Sequence, residues 1–219
     1  MPSSKRSTSH FPLARVGLTW LALRTRRAAV PATLMGVAMA TTACSNSQVA
    51  ASRSPAHQPS TYAEQFGSSQ GQKIAEVQPL VEQAARRYHL DPSLINAMIW
   101  VESRFDSRAR GPSGSKGLMQ LMPATAREIG KQIGQRPRPY DPEFNIQAGS
   151  YYLARMLRAF DGDSRHAIAA YNAGPGSIRK RLRRGDDISS RSESYVRKVR
   201  EAQAKFSRVA ARQGSRAAM

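Results

Sequence analysis

The chain of 219 residues carries 34 Lys and Arg against 15 Asp and Glu, a net charge of +19. That length suits one compact domain with appendages, and an apolar share of 40% excludes a fully disordered chain. A single cysteine (Cys44) excludes a disulfide framework or a thiolate metal cage, and the scattered His10, His57, His89 and His166 offer no zinc-binding spacing, so neither metal nor cofactor is expected.

No acid precedes Glu64, whereas Lys5, Arg6, Arg15, Arg24, Arg26 and Arg27 are basic. Ala28 to Ala43 then forms an uncharged stretch of 16 residues, too short and too broken by Pro31 and threonines for a transmembrane helix. A basic segment, an apolar segment and small residues in that order read as a secretory signal over residues 1–43, and so as export to the periplasm or cell envelope. Ala38-Met39-Ala40 suits cleavage between small residues. Thr41-Thr42-Ala43-Cys44 is similar to a bacterial lipoprotein box, with Thr41 in the place of the usual Leu, and would make Cys44 a lipidation site. An Arg/Ser-rich transit-type leader is the alternative. Residues 44–72, rich in Ser, Gln, Ala and Pro, read as a flexible linker. Residues 73–208 read as the folded domain, and 209–219 as a disordered tail.

Within the domain the apolar pattern is helical throughout. Leu80, Ala84 and Tyr88 share a stripe, which predicts a helix from Pro79 to Tyr88. Asp91-Pro92 is a cap followed by proline at the first helical position, and opens a second helix, SLINAMIWVES. Pro123 opens a third, closed by Gly130. Asp141-Pro142 opens a long one through Phe160, and Ser164 caps HAIAAYNA, which Gly174-Pro175-Gly176 stops. A basic helix around IRKRLRR and a last one over 195–208 follow. No window alternates as a strand, so the fold class is all-α, with a loop-rich segment between Phe105 and Met122.

Ile95, Met98, Ile99 and Glu102 stand at i, i+3, i+4 and i+7, one face of the second helix. Glu102 thus continues an apolar stripe, near a helix end whose carbonyls disfavour negative charge. Desolvation and that dipole both raise a carboxyl pKa, and a carboxylic acid still protonated near neutrality is what a general acid requires. Periodicity alone leaves a second reading open, a helix-terminal glutamate whose carboxylate escapes to solvent.

Five segments, in this order and spacing, resemble the lytic transglycosylases of the lysozyme-like superfamily, typified by the soluble murein transglycosylases and goose-type lysozyme. They are Glu102-Ser103 with RFDSRA, GSKGLMQLMPATA (Gly114 to Ala126), DPEFNIQAGSYYLARML (Asp141 to Leu157), AIAAYNAGPGSI (Ala167 to Ile178) and YVRKV (Tyr195 to Val199). The resemblance covers about 79 to 200 and implies a lysozyme-like transglycosylase domain. By position it makes Glu102 the single catalytic acid/base and Ser103 its neighbour at the sugar cleft. It makes Gln120 and Met122 substrate contacts, Tyr171 a tyrosine near the carboxyl, Asn172 the asparagine of the next turn, and Tyr195 part of the substrate-binding set. Helix packing is an equal reading for Met122 and Tyr171, as is a structural hydrogen bond for Gln120. One departure stands out: Arg191-Ser192 occupies the place of the family's Glu-Thr before the final tyrosine. The displaced Glu193 has two readings, reaching the cleft or facing solvent.

The resemblance implies cleavage of the β-1,4 bond between N-acetylmuramic acid and N-acetylglucosamine in peptidoglycan, with a 1,6-anhydromuramyl product. A hydrolase of the same fold and a non-catalytic wall-binding protein are the alternatives. Residues 73–208 hold 25 basic and 14 acidic residues, a net +11. Attraction to an anionic envelope, or to a secretion apparatus crossing the wall, is one reading of that surface, and a solvated basic face is the other. Nucleic acid is disfavoured, since an export signal is expected and the chain has no aromatic-basic RNA motif or zinc finger.

Overall fold

The structure, a computed structural model, describes residues 61–217. The leader expected over 1–43, Cys44 and the linker up to residue 60 lie outside the described residues, as does the end of the tail. Eight helices follow in the described part: α1 (Thr61–Phe66), α2 (Ser68–Tyr88), α3 (Pro92–Ser103), α4 (Pro123–Gln132), α5 (Pro142–Ala159), α6 (Ser164–Ala173), α7 (Pro175–Leu182) and α8 (Ser190–Ala217). The only extended pairing among these residues is two isolated bridges, Arg110 with Lys116 and Lys116 with Leu121, inside the loop between α3 and α4.

The caps act as their residue types dictate. The Asp91 carboxylate accepts from the Ser93 amide and that of Asp141 from the Phe144 amide, each with proline at the first helical turn. At α6 the cap is Asp163, not the expected Ser164; its carboxylate takes the amides of Arg165 and His166.

The domain begins and ends further out than the composition indicates. Residues 61–72, expected in the linker, form α1 and the first turn of α2, and residues 209–217 of the expected tail continue α8. Pro79 lies inside α2, not at its start. Packing supplies the reason. Ile74, Val77 and Val81 continue one buried stripe through the proline, and Val209 is still buried. Helix α4 likewise passes through Gly130 to Gln132.

The core is a layer of α2, α3, α5, α6 and α8 around Ile95, Met98 and Ile99, each 0% exposed. Helix α3 lies against α8 along its length. An amide pair locks α3 to α2: Gln78 Nε2 donates to Asn96 Oδ1 at 3.0 Å, and Asn96 Nδ2 returns the bond to Gln78 Oε1 at 3.1 Å. Short α1 places Phe66 against Phe206 of α8 and Trp100 of α3, with ring centroids 4.7 and 4.9 Å apart. The C-terminal end of α3 is therefore held from behind by aromatic packing.

Candidate active site

That end of α3 carries Glu102. The stripe through Ile95, Met98 and Ile99 turns three fully buried side chains into the core and leaves the fourth position, Glu102, half-buried at the rim. Burial pushes its carboxyl up from the ordinary value to about 7, partly opposed by the hydroxyl of Tyr195. That hydroxyl, on α8, donates to Glu102 Oε1 at 2.5 Å. Burial and the facing carboxyl push the Tyr195 phenol well above its usual value, so it stays protonated as a donor. The second reading of Glu102, a carboxylate freely in solvent, does not describe this geometry.

Beyond Ser103 the chain reverses through Arg104 and Phe105, both with left-handed φ (54° and 61°), a conformation costly for residues with a Cβ. The loop then returns over α3. Ser103 Oγ bonds the Leu118 carbonyl at 2.7 Å and the Ile99 carbonyl at 3.2 Å, which pins the GLMQ turn to the helix. Gln120 is spent inside the loop: its Nε2 donates to the carbonyls of Ala109 (3.1 Å) and Gly117 (2.9 Å), and its Oε1 accepts from Ser115 at 2.6 Å. Tyr171 is buried, and its hydroxyl donates to the Met119 carbonyl at 2.9 Å, not to the acid. Burial, with the charge of Glu102 behind it, pushes that phenol well up.

Asn145, within the DPEFNIQAGS segment but not among the expected site residues, ties this loop to α5. Fully buried on α5, it accepts from the Met119 amide at 2.7 Å and donates to the carbonyls of Lys116 (3.0 Å) and Pro139 (2.7 Å). Gly117, with φ +77°, lets the backbone pass so close that a Cβ would lie 2.1 Å from the Pro139 carbonyl. Asn145 is marked in the structure by its place inside the run Phe144 to Ser150, which is buried on every side of the helix; no helical spacing in the sequence marks it.

Glu102 opens into a cleft of about 970 Å³. Helix α3 lines it with Trp100, Val101 and Glu102, and Arg104 follows just past its end; α8 lines it with Arg191, Ser194, Tyr195 and Lys198, and further along with Glu201, Ala202 and Lys205; Pro112 and Asn172 complete it. Of the expected site residues, the cleft thus brings together Glu102, Asn172 and Tyr195. Ser103, Gln120 and Tyr171 build its floor and loop, and Met122 stands at the start of α4, 42% exposed. Glu193 is not among the lining residues. It is half-buried against Arg165, whose Nη2 is 2.6 Å from its carboxylate, while Arg165 also pairs with Asp187. Among the described residues no three His, Cys, Asp or Glu side chains cluster as a metal set, and no helix is long and apolar enough to cross a membrane.

The chain is similar to known proteins over part of its length. The chain is 42% identical over 113 residues to membrane-bound lytic murein transglycosylase F of Desulfosudis oleivorans, covering 49% of this chain and 24% of that protein. It is 38% identical over 113 residues to membrane-bound lytic murein transglycosylase C of Photorhabdus laumondii, covering 46% and 32%. The X-ray structure of an inactive mutant of the lytic transglycosylase Slt from Pseudomonas aeruginosa superposes with a TM-score of 0.55 at 31% identity, over 59% of this chain and 24% of that one. The chain therefore spans about a quarter to a third of these relatives' own length. The helices α3 to α7, with the loop that closes over Glu102, fall within residues 79–192, which match the transglycosylase SLT domain. Those residues make up just over half of the chain, and on that match the chain belongs to the transglycosylase SLT domain family.

Proposed function

We propose that the protein is a peptidoglycan lytic transglycosylase that cleaves the β-1,4 bond between N-acetylmuramic acid and N-acetylglucosamine, with Glu102 as its one acid/base. The observation that carries this is a carboxyl pushed to about 7, held by Tyr195 and opening into a cleft large enough for a sugar chain. The protonated carboxyl gives its proton to the glycosidic oxygen as the bond to the muramyl C1 breaks. The substrate's own acetamido oxygen stabilises that carbon, in the manner of substrate-assisted glycosidases. Glu102, now a carboxylate, takes the proton of the muramyl 6-hydroxyl as O6 bonds to C1, which closes the 1,6-anhydro ring and restores the acid. No water is consumed, and the intramolecular hydroxyl is favoured over bulk water by proximity.

Asn172 and Tyr195 line the cleft as substrate contacts, and the exposed Met122 offers an apolar one. Ser103, Gln120 and Tyr171 act by holding the GLMQ turn beside the acid. With the leader read from the sequence, and with two relatives named membrane-bound, the place of action is the periplasm or cell envelope, through Cys44 if it is lipidated.

Hydrolysis is the second reading, because Glu201 is another carboxylate on the cleft wall. It is exposed, it lies 3.9 Å from Arg197, and it stands six residues, about 9 Å of helix, beyond Tyr195. Mass spectrometry of digested sacculi separates the two readings: anhydro products are one water lighter than hydrolysed ones. Glu102→Gln is expected to abolish digestion while sacculus binding persists. Undiminished digestion by this variant removes Glu102 from the role.

A further inference from the structure

We propose that the α8 wall of the cleft is an anion-binding subsite, made by Arg191, Lys198 and Lys205, for the free carboxylates of the peptide that the muramyl sugar carries. The three recur every seven residues, so they form one row along α8 about 10 Å apart, and all three line the cleft. Tyr195 stands within that row. Arg191 is four residues before it and Lys198 three after, the two spacings that make helical neighbours. The Tyr195 hydroxyl bonds Glu102 Oε1, so Arg191 and Lys198 stand on the same wall as the residue that holds the acid.

None of the three has an ion-pair partner among the described residues. Glu201, on the same wall, sits by Arg197 instead, and Arg104 across the cleft is stacked 4.2 Å over the Trp100 ring. Three like charges on one concave wall repel one another and add nothing to the fold, whereas together they concentrate an anion. Ser192, beside Arg191, turns inward to Ser189 at the start of α8, so the arginine alone of that pair faces the cleft.

This inference rests on the cleft being the muramyl site. The peptide branches from the muramyl sugar, next to the scissile bond, so a strand with its glycosidic oxygen at Glu102 sends the peptide along a wall of the same cleft. It carries more carboxylates than amines, and a carboxylate suits the arginine fork and the lysine point charges alike.

The test compares wild type with Arg191→Gln/Lys198→Gln/Lys205→Gln on glycan strands that keep their peptides and on strands stripped of them by an amidase. On intact strands the variant's KM is expected to rise about tenfold, the combined size of three exposed ion pairs, with kcat little changed. Stripping the peptides is expected to raise the wild-type KM by the same factor and to erase the difference between the two proteins. An equal loss on both substrates, or no loss on either, overturns the proposal. NMR titration of the full chain with the free peptide L-Ala-D-Glu-meso-diaminopimelate reads the subsite without cleavage, so it stands even if no digestion is found. Shifts at Lys198 and Lys205 support the subsite. Their absence, with shifts from inorganic phosphate instead, assigns the row to a phosphate polymer and overturns it.

Discussion

Glu102 holds its proton in the folded protein and loses it readily in the unfolded one. The folded pKa of about 7 lies above the ordinary carboxylate value, so the native state binds the extra proton between roughly pH 4.5 and 7. The contribution to stability is full below that window and is lost as pH rises through it. Glu102→Gln, which mimics the protonated form, is therefore expected to gain stability over wild type on going from pH 4 to pH 8, on the order of 3 kcal/mol. Urea unfolding at the two pH values measures it; a constant difference would show that the carboxyl titrates normally. Tyr195→Phe removes a donor that favours the carboxylate, so the Glu102 pKa is expected to rise further, as followed by NMR titration of the carboxyl. Digestion should fall roughly a hundredfold, because the acid is no longer aimed. Glu102 was legible because three neighbours on its own helix face mark it. Tyr195 as its anchor was not, since the bond joins residues 93 apart and only packing of α3 on α8 creates it.

At the level of elements, one buried amide joins the loop between α3 and α4 to α5. Asn145 ties the Met119 amide and the carbonyls of Lys116 and Pro139 to α5. Asn145→Ala leaves all three without that partner and opens a gap, so it is expected to destabilise the protein by about 3 kcal/mol in chemical denaturation. Recovery of full stability in Asn145→Ala would show that the loop is held by other contacts. The capping signals Asp91-Pro92 and Asp141-Pro142 could be read locally because each acts within one turn of its own chain. The start of α2 could not: its first turns are Ser, Gln and Gly, and they are helical because Ile74 and Val77 pack on distant helices. Gln120 shows the same limit. Its type suits a sugar or a loop equally, and only the positions of Ser115, Ala109 and Gly117 decide where its amide goes.

For the whole molecule, the boundary of the folding unit is a matter of aromatic packing rather than composition. Tyr62 and Phe66 of α1 cover Phe206, and Phe66 also covers Trp100. A chain starting at Lys73, where the apolar pattern first becomes helical, loses both rings. It is expected to be less stable than one starting at Thr61 by on the order of 3 kcal/mol, the cost of removing a packed aromatic. Equal urea midpoints for the two chains would mean that α1 is dispensable. Trp100 also gives the molecule an optical handle. It is the single tryptophan among the described residues, it lines the cleft, and it lies beneath the Arg104 guanidinium two positions from Glu102. In a chain starting at Thr61 every photon of indole emission comes from the wall where a sugar would sit, so occupancy of the cleft can be followed by intrinsic fluorescence, without a label and without turnover.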